Sequence, residues 1–126
     1  MKSHKLESGT VLIFDAGDEM ISTLTAFASE QHIAGAHFTA IGASSDVAIG
    51  YFNVQKKDYL KNHVNEQVEV VSLIGDIALD HGEPKVHAHV VVGKRNGAAM
   101  VLQESGAKWK RRFDPESGLA LIDLGS

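Results

Sequence analysis

The stretch Lys85-Val86-His87-Ala88-His89-Val90-Val91-Val92-Gly93 decides most of what the sequence says about the fold. Successive side chains on a β-strand point to opposite faces, so residues two apart share one face. On a strand, Val86, Ala88, Val90 and Val92 form an apolar face suited to a core, while Lys85, His87 and His89 form a polar one. A helix would scatter both sets around its circumference. The segment therefore reads as a half-buried strand. Lys94-Arg95-Asn96-Gly97 follows it as a strong hairpin signal, because Asn-Gly accepts the positive φ angles of a tight turn.

Working outward, residues 66–79 are rich in Val, Ile and Leu and read as a strand, with Gly75 as a bulge or bend. Asp80-His81-Gly82-Glu83-Pro84 reads as the loop between the two. Upstream, residues 10–14 form a short apolar run that predicts a buried strand. Asp15-Ala16-Gly17-Asp18 is a turn in which Asp18 is placed to cap a helix. Met20, Leu24 and Phe27, with Ile21 and Ala28 beside them, fall at helical spacing and predict one main helix over about 18–32, closed by Ile33-Ala34-Gly35. The period then returns to two. Residues 36–41 read as a strand ended by Gly42-Ala43, residues 45–52 as the next, and 55–58 as a hairpin turn into 59–61. At the far end come the basic segment 108–112, a turn at 114–118 and a last strand at 119–123. This succession predicts one α+β domain over 1–126: a mainly antiparallel sheet or open barrel with one main helix.

Composition narrows the function. Hydrophobic residues make up 44% of the 126-residue chain, which is enough for a packed core and excludes a disordered tail. There is no cysteine, which excludes disulfides, thiolate metal sites and a cysteine nucleophile, and fits a cytoplasmic protein. Apolar runs fall well short of the ~20 residues of a membrane span. The first residues carry no apolar run, so no signal peptide is expected. Twelve basic against sixteen acidic side chains give a net charge of -4, which argues against a chain that binds nucleic acid by phosphate contacts alone.

With cysteine absent, any soft metal ligand must come from the seven histidines. His87 and His89 sit about 6.5–7 Å apart at their backbones on one strand face, close enough for both rings to reach one cation. Neutral imidazole suits zinc first, and nickel, copper or iron as well. The ordinary alternative is a polar strand face lining a groove or a subunit contact. A third donor must come from elsewhere in the chain, and His37, His63, His81, Glu69, Asp76 and Gln103 are all candidates that local spacing does not separate. Glu69 and Asp76 would otherwise serve as salt-bridge partners.

Two further signals are weaker. Lys108, Lys110, Arg111 and Arg112 around Trp109 could bind an anion or phosphate, with Lys108, Lys110 and Arg112 on one face. They serve equally as the charges that keep an edge strand from pairing with other chains. Ser44, Ser45 and Asp46 lack the strand-to-helix elbow of a serine hydrolase and read as a turn. No phosphate-binding glycine loop is present.

The blocks Ala40-Ile41-Gly42-Ala43-Ser44-Ser45-Asp46-Val47-Ala48-Ile49-Gly50-Tyr51, Val68-Glu69-Val70-Val71-Ser72-Leu73-Ile74-Gly75-Asp76-Ile77-Ala78-Leu79 and Pro84-Lys85-Val86-His87-Ala88-His89 resemble, in order and spacing, the plant-and-prokaryote conserved (PPC) domain family. That resemblance spans nearly the whole chain. It implies a fold like that of acetolactate decarboxylase, a histidine-ligated metal enzyme, and it implies a homotrimer. It offers three functions: a divalent metal or small ligand at the His-x-His strand, a DNA-associated regulatory or assembly role, or a metal-dependent reaction on a small carbonyl or acid. Bacterial members bear DNA-binding labels by analogy with plant proteins, whose separate Arg-Gly-Arg-Pro hook is absent here. The chain also departs from the pattern. Family members continue from the Asn-Gly turn into a strand ending Gly-Gly-His, whereas Asn96-Gly97-Ala98-Ala99-Met100 runs directly into Val101-Leu102-Gln103. A strand or two, with its histidine, is thus expected to be missing at Met100/Val101. Either the chain is shortened and its metal site damaged, or a loop has dropped out of the written sequence. The second is preferred, since losing a strand exposes unpaired backbone.

Overall fold

The computed structural model describes residues 1–53, 55–102 and 111–113; for residues 46, 48–53, 58–62, 101, 102 and 111–113 the description is of the backbone. Among these are eight strands and one helix: β1 (Lys2–Lys5), β2 (Thr10–Ile13), α1 (Met20–Glu30), β3 (Gly35–Asn53), β4 (Asp58–Val64), β5 (Val68–Asp80), β6 (Glu83–Gly93), β7 (Ala99–Leu102) and β8 (Arg111–Phe113). β1 and β2 form a separate antiparallel hairpin. The rest form one open antiparallel sheet in the order β4-β3-β5-β6-β7, with β8 pairing β3. The fold is therefore α+β, with an antiparallel sheet that does not close among the described residues.

The alternation expected for β6 is the one observed. Val86, Ala88, Val90 and Val92 are buried, while His87, His89 and Val91 between them are half-buried. The apolar face joins a single core with Phe38 and Ala40 of β3, Leu73 and Ile77 of β5, and Leu12 and Phe14 from β2 and its end. Met20, Leu24, Phe27 and Ala28 of α1 close that core from above.

The helix is shorter than its sequence pattern at both ends. Its N-cap is Glu19, whose carboxylate accepts from the Ser22 backbone N–H at 2.6 Å. Asp18 is not the cap; its carboxylate accepts from the Asp15 backbone N–H and faces the Met1 ammonium. At the other end Ile33 N–H donates to the Ala28 carbonyl and His32 N–H to that of Ser29, which is a Schellman closure. It places His32 at φ 53°, where glycine is the usual occupant.

Three strand readings change. Residues 36–41 and 45–52 belong to one strand, β3, which continues through Gly42. The ladder with β5 absorbs the irregularity instead: Ala40 pairs Leu73 and Gly42 pairs Val70, while on the other side Val92 pairs Val70 and Val91 pairs Ser72. Val71 is thus an extra residue in β5, a bulge, and with it set aside the inward series Val68, Val70, Leu73, Gly75, Ile77 is unbroken. Gly75 is not that bulge. It lies on the core side opposite Phe38 and Ala88, and a β-carbon there would run into the Phe38 ring and the His87 carbonyl oxygen. Residues 80–84 are not a loose loop either. Asp80 pairs Glu83, and the turn is only His81 and Gly82, at φ 52° and 80°.

The Lys94–Gly97 hairpin forms, with Gly97 at φ 85° and Asn96 at negative φ. Gly97 N–H donates to the Lys94 carbonyl, and Asn96 Oδ1 accepts from Ala98 N–H at 3.0 Å. It leads into β7, in which Met100 and Val101 are successive residues opposite Val92 and Val91. β1 escaped the sequence reading. Its four residues are all exposed and carry no apolar alternation, so only the ladder with β2 defines it. The strand expected at 119–123 lies outside the described residues.

Candidate metal centre

The strand that fixes the core also fixes the histidines. His87 and His89 project from the face of β6 opposite the core, on the outer face of the sheet. Their ring centroids lie 5.2 Å apart with the planes at 73°. That is the spacing of edge-to-face ring packing, and it is also the roughly 5 Å centroid separation of two imidazoles that share a tetrahedral ion at Zn–N of about 2.0–2.1 Å. Among the described residues no carboxylate is hydrogen-bonded to either ring, and no three His, Asp or Glu side chains converge on a common point as they stand.

Register decides which candidate third donors lie near. Asp76 on β5 is directly opposite His87, and His37 on β3 is directly opposite Asp76. The three form one row across three adjacent strands, all on the outer face. His89 lies in the next row, opposite Ile74, which is opposite Thr39. Directly opposed residues have β-carbons about 4.5–5.5 Å apart.

The other candidates are placed elsewhere. Glu69 faces Gly93 at the far end of β5, five residues from Ile74, or roughly 16 Å at 3.3 Å per residue. It lines an open cleft of about 410 Å³ with Glu66, Lys94 and Arg95, in which Lys94 pairs with Glu66 at 3.2 Å. His63 lies on β4 opposite Ala48. His81 sits in the β5–β6 turn, its Nδ1 2.8 Å from Asp80, whose other oxygen is 3.6 Å from Lys85. Gln103, Lys108 and Lys110 lie outside the described residues. Arg112 belongs to β8, where its backbone pairs with Asp46.

The same outer face is partly apolar. Ile41, Val71 and Ile74 are each more than half exposed, and Ile74 borders His89 directly. The row His37–Asp76–His87 is the feature that sequence reading missed as a unit. Each residue was singled out, but their alignment is a property of two ladders, and no local spacing encodes it. No helix among the described residues is long and apolar enough to cross a membrane.

A family model described as the Plants and Prokaryotes Conserved (PCC) domain matches residues 1–102. Solved structures are similar over nearly the whole chain. A plant- and prokaryote-conserved (PPC) protein from Pyrococcus horikoshii is 28% identical with a TM-score of 0.77, the match covering 100% of this chain and 86% of that one. A metal-containing protein from Archaeoglobus fulgidus is 29% identical with a TM-score of 0.79, again over 100% and 86%. A protein from Ralstonia eutropha JMP134 labelled as a candidate DNA-binding protein is 22% identical with a TM-score of 0.84, over 98% and 82%, a likeness of fold. No curated protein matches the sequence.

Proposed function

The chain belongs to the Plants and Prokaryotes Conserved domain family, and from that premise we propose that it is an oligomeric cytoplasmic domain holding a divalent cation, zinc first, or a small ligand at His87 and His89. The observation that carries the reading is the 5.2 Å spacing of two half-buried imidazoles on one strand face. The metal content of the Archaeoglobus fulgidus relative supports it. A cation there would supply Lewis acidity and an electrophilic anchor for an anionic ligand. The two histidines would hold it, with the exposed side left for water or ligand.

Association would involve the same face. A sheet face on which Ile74 is exposed opposite His89, with Ile41 and Val71 exposed further along it, has apolar area that a neighbouring copy would cover. The homotrimer that the family resemblance implies would bring that face against another copy.

The test is elemental analysis of protein purified without chelators, followed by zinc titration. Near-stoichiometric metal is expected in the unmodified chain, and none above buffer background in the His87→Ala/His89→Ala variant. Equal metal in both would sink the reading. So would an unmodified chain that takes up no zinc, and a DNA affinity falling steeply with salt would then favour a phosphate-binding role.

A further inference from the structure

We propose that Asn96, at the tip of the hairpin joining β6 to β7, is a site of self-modification. Its side-chain amide closes onto the Gly97 backbone nitrogen and leaves as ammonia, and water then produces aspartate or isoaspartate. The inference is independent of the metal reading above.

The chain's chemistry selects the position. Ring closure needs an asparagine followed by a residue that does not hinder its own nitrogen. The chain has four asparagines: Asn53, Asn62, Asn65 and Asn96. The first three precede Val54, His63 and Glu66, whose β-carbons crowd the nitrogen that must attack. Asn96 precedes a glycine, which has no β-carbon. Asn96, Gly97 and Ala98 are all exposed, so water, the co-reactant, reaches them.

Two hydrogen bonds at the tip act in opposite directions. Arg95, Asn96 and Gly97 form a loop closed by Lys94 N–H donating to the Ala98 carbonyl at 2.7 Å. Inside it, Ala98 N–H donates to Asn96 Oδ1 at 3.0 Å. This Asx-turn bends the side-chain amide forward along the chain, toward the peptide it must meet. Oδ1 is also the atom that becomes negative when nitrogen adds to Cγ, so the Ala98 N–H stands where charge develops. The second bond holds the reaction back. Gly97 N–H donates to the Lys94 carbonyl at 2.9 Å, and that nitrogen must shed its proton and turn to Cγ before it can attack. The hairpin is thus primed and latched, and the rate follows how often the tip opens.

The step balances without an oxidant or reductant. Gly97 nitrogen gives its proton to solvent and bonds to Asn96 Cγ, the bond from Cγ to the side-chain nitrogen breaks, and ammonia leaves with a proton from solvent. Water then opens the cyclic imide. Addition at Cγ restores the backbone and leaves aspartate. Addition at the Asn96 backbone carbonyl leaves the chain running through the side chain, which is isoaspartate. The two products have different consequences. Aspartate keeps an acceptor for Ala98 N–H. Isoaspartate puts an extra methylene into the loop between Lys94 and Ala98, directly before the pairs Gly93–Ala99 and Val92–Met100. β7 is four residues long, and its ladder among the described residues is with β6 alone. Isoaspartate therefore frees β7 and leaves residues 90–93 of β6 with an unpaired edge.

The experiment follows the full chain in mildly alkaline buffer, folded and in enough urea to unfold it, by peptide mapping with mass spectrometry. Asn96→Ser, which keeps a short acceptor and cannot form the imide, is the control. Conversion is expected at Asn96 ahead of the other asparagines, at least about tenfold slower in the folded chain than in urea, and absent at position 96 in Asn96→Ser. The isoaspartyl fraction, separated by anion exchange, is expected to lose amide-exchange protection in β7, whereas Asn96→Asp keeps it. Equal rates in folded and unfolded chains would remove the latch. An Asn96 still intact in the folded chain after about a hundred half-lives of the unfolded reaction overturns the site, as does faster conversion at another asparagine. Protection in β7 that survives in the isoaspartyl fraction overturns the structural consequence.

Discussion

The two faces of β6 are built from alternate residues of one eleven-residue strand, yet they obey different rules. On one face Val86, Ala88, Val90 and Val92 are between 0% and 8% exposed and belong to one core with residues of β2, β3, β4, β5 and the helix. On the other, His87 and His89 pack edge to face, half-exposed, with Asp76 and Ile74 opposite them on β5. The core face is specified by how apolar area must be hidden, so its identity is redundant: other hydrophobic residues of similar volume would serve. The histidine face is specified by chemistry at single atoms. Stability and binding should therefore separate cleanly along this one strand, and substitutions can test where the separation holds.

The largest effect is expected where the faces meet. Gly75 lies on the core side of β5, but the β-carbon of Gly75→Ala would push on both the Phe38 ring and the His87 carbonyl oxygen. The ring can yield only by disturbing the core, and the carbonyl only by moving the backbone that carries His87. A loss of about 3 kcal/mol in urea unfolding is expected, together with weakened zinc binding by the folded fraction. This one substitution should break the separation. An alanine variant of full stability would show that β5 and β6 are less tightly apposed than the structure has them.

Val90→Ala should sharpen the contrast. Val90 is 1% exposed, and removing two methyl groups from a filled core costs about 2 kcal/mol. Zinc affinity should stay within a factor of two, because neither imidazole touches Val90. A large drop in affinity would mean that the core side chain sets the histidine geometry through the backbone.

Ile74→Lys probes the outer face at its apolar part. Ile74 is 55% exposed, so the isolated chain gains little from it, within about 0.5 kcal/mol. If copies associate through this face, a buried lysine there should dissociate them, which sedimentation velocity would read as a fall in mass. An unchanged mass would place the oligomer contact elsewhere.

The same division explains what the sequence discloses. The core face of β6 is legible because burial imposes a period of two that any reader can count, and the spacing of Met20, Leu24 and Phe27 exposes the helix for the same reason. The Asn96-Gly97 turn is legible because few residues accept its backbone angles. The bulge at Val71 is not, since valine is an ordinary strand residue and only the neighbouring ladders show that one residue is extra. Nor is the His81-Gly82 turn, where Pro84 and Glu83 suggest a longer loop. His87 and His89 are two apart in one strand and can be paired on paper. Asp76 and His37 join them only through register, which is fixed by turns and a bulge many residues away.

The smallest effect should come from the histidines themselves, and it is the most informative. In metal-free protein, His87→Ala/His89→Ala should change unfolding free energy by no more than about 0.5 kcal/mol, because both rings are half-exposed and neither supports the core. Zinc then provides the contrast. A ligand that binds only the folded state stabilises it by RT ln(1 + [L]/Kd), about 2.7 kcal/mol at a hundredfold excess over Kd. The unmodified chain and Val90→Ala should gain that same increment, starting from different baselines, and the histidine variant should gain nothing. Equal gains in the first two would mean the core face sets how stable the scaffold is without altering what the other face binds. A smaller gain in Val90→Ala would mean that core packing pre-orders the two rings, so that the faces of β6 are coupled after all.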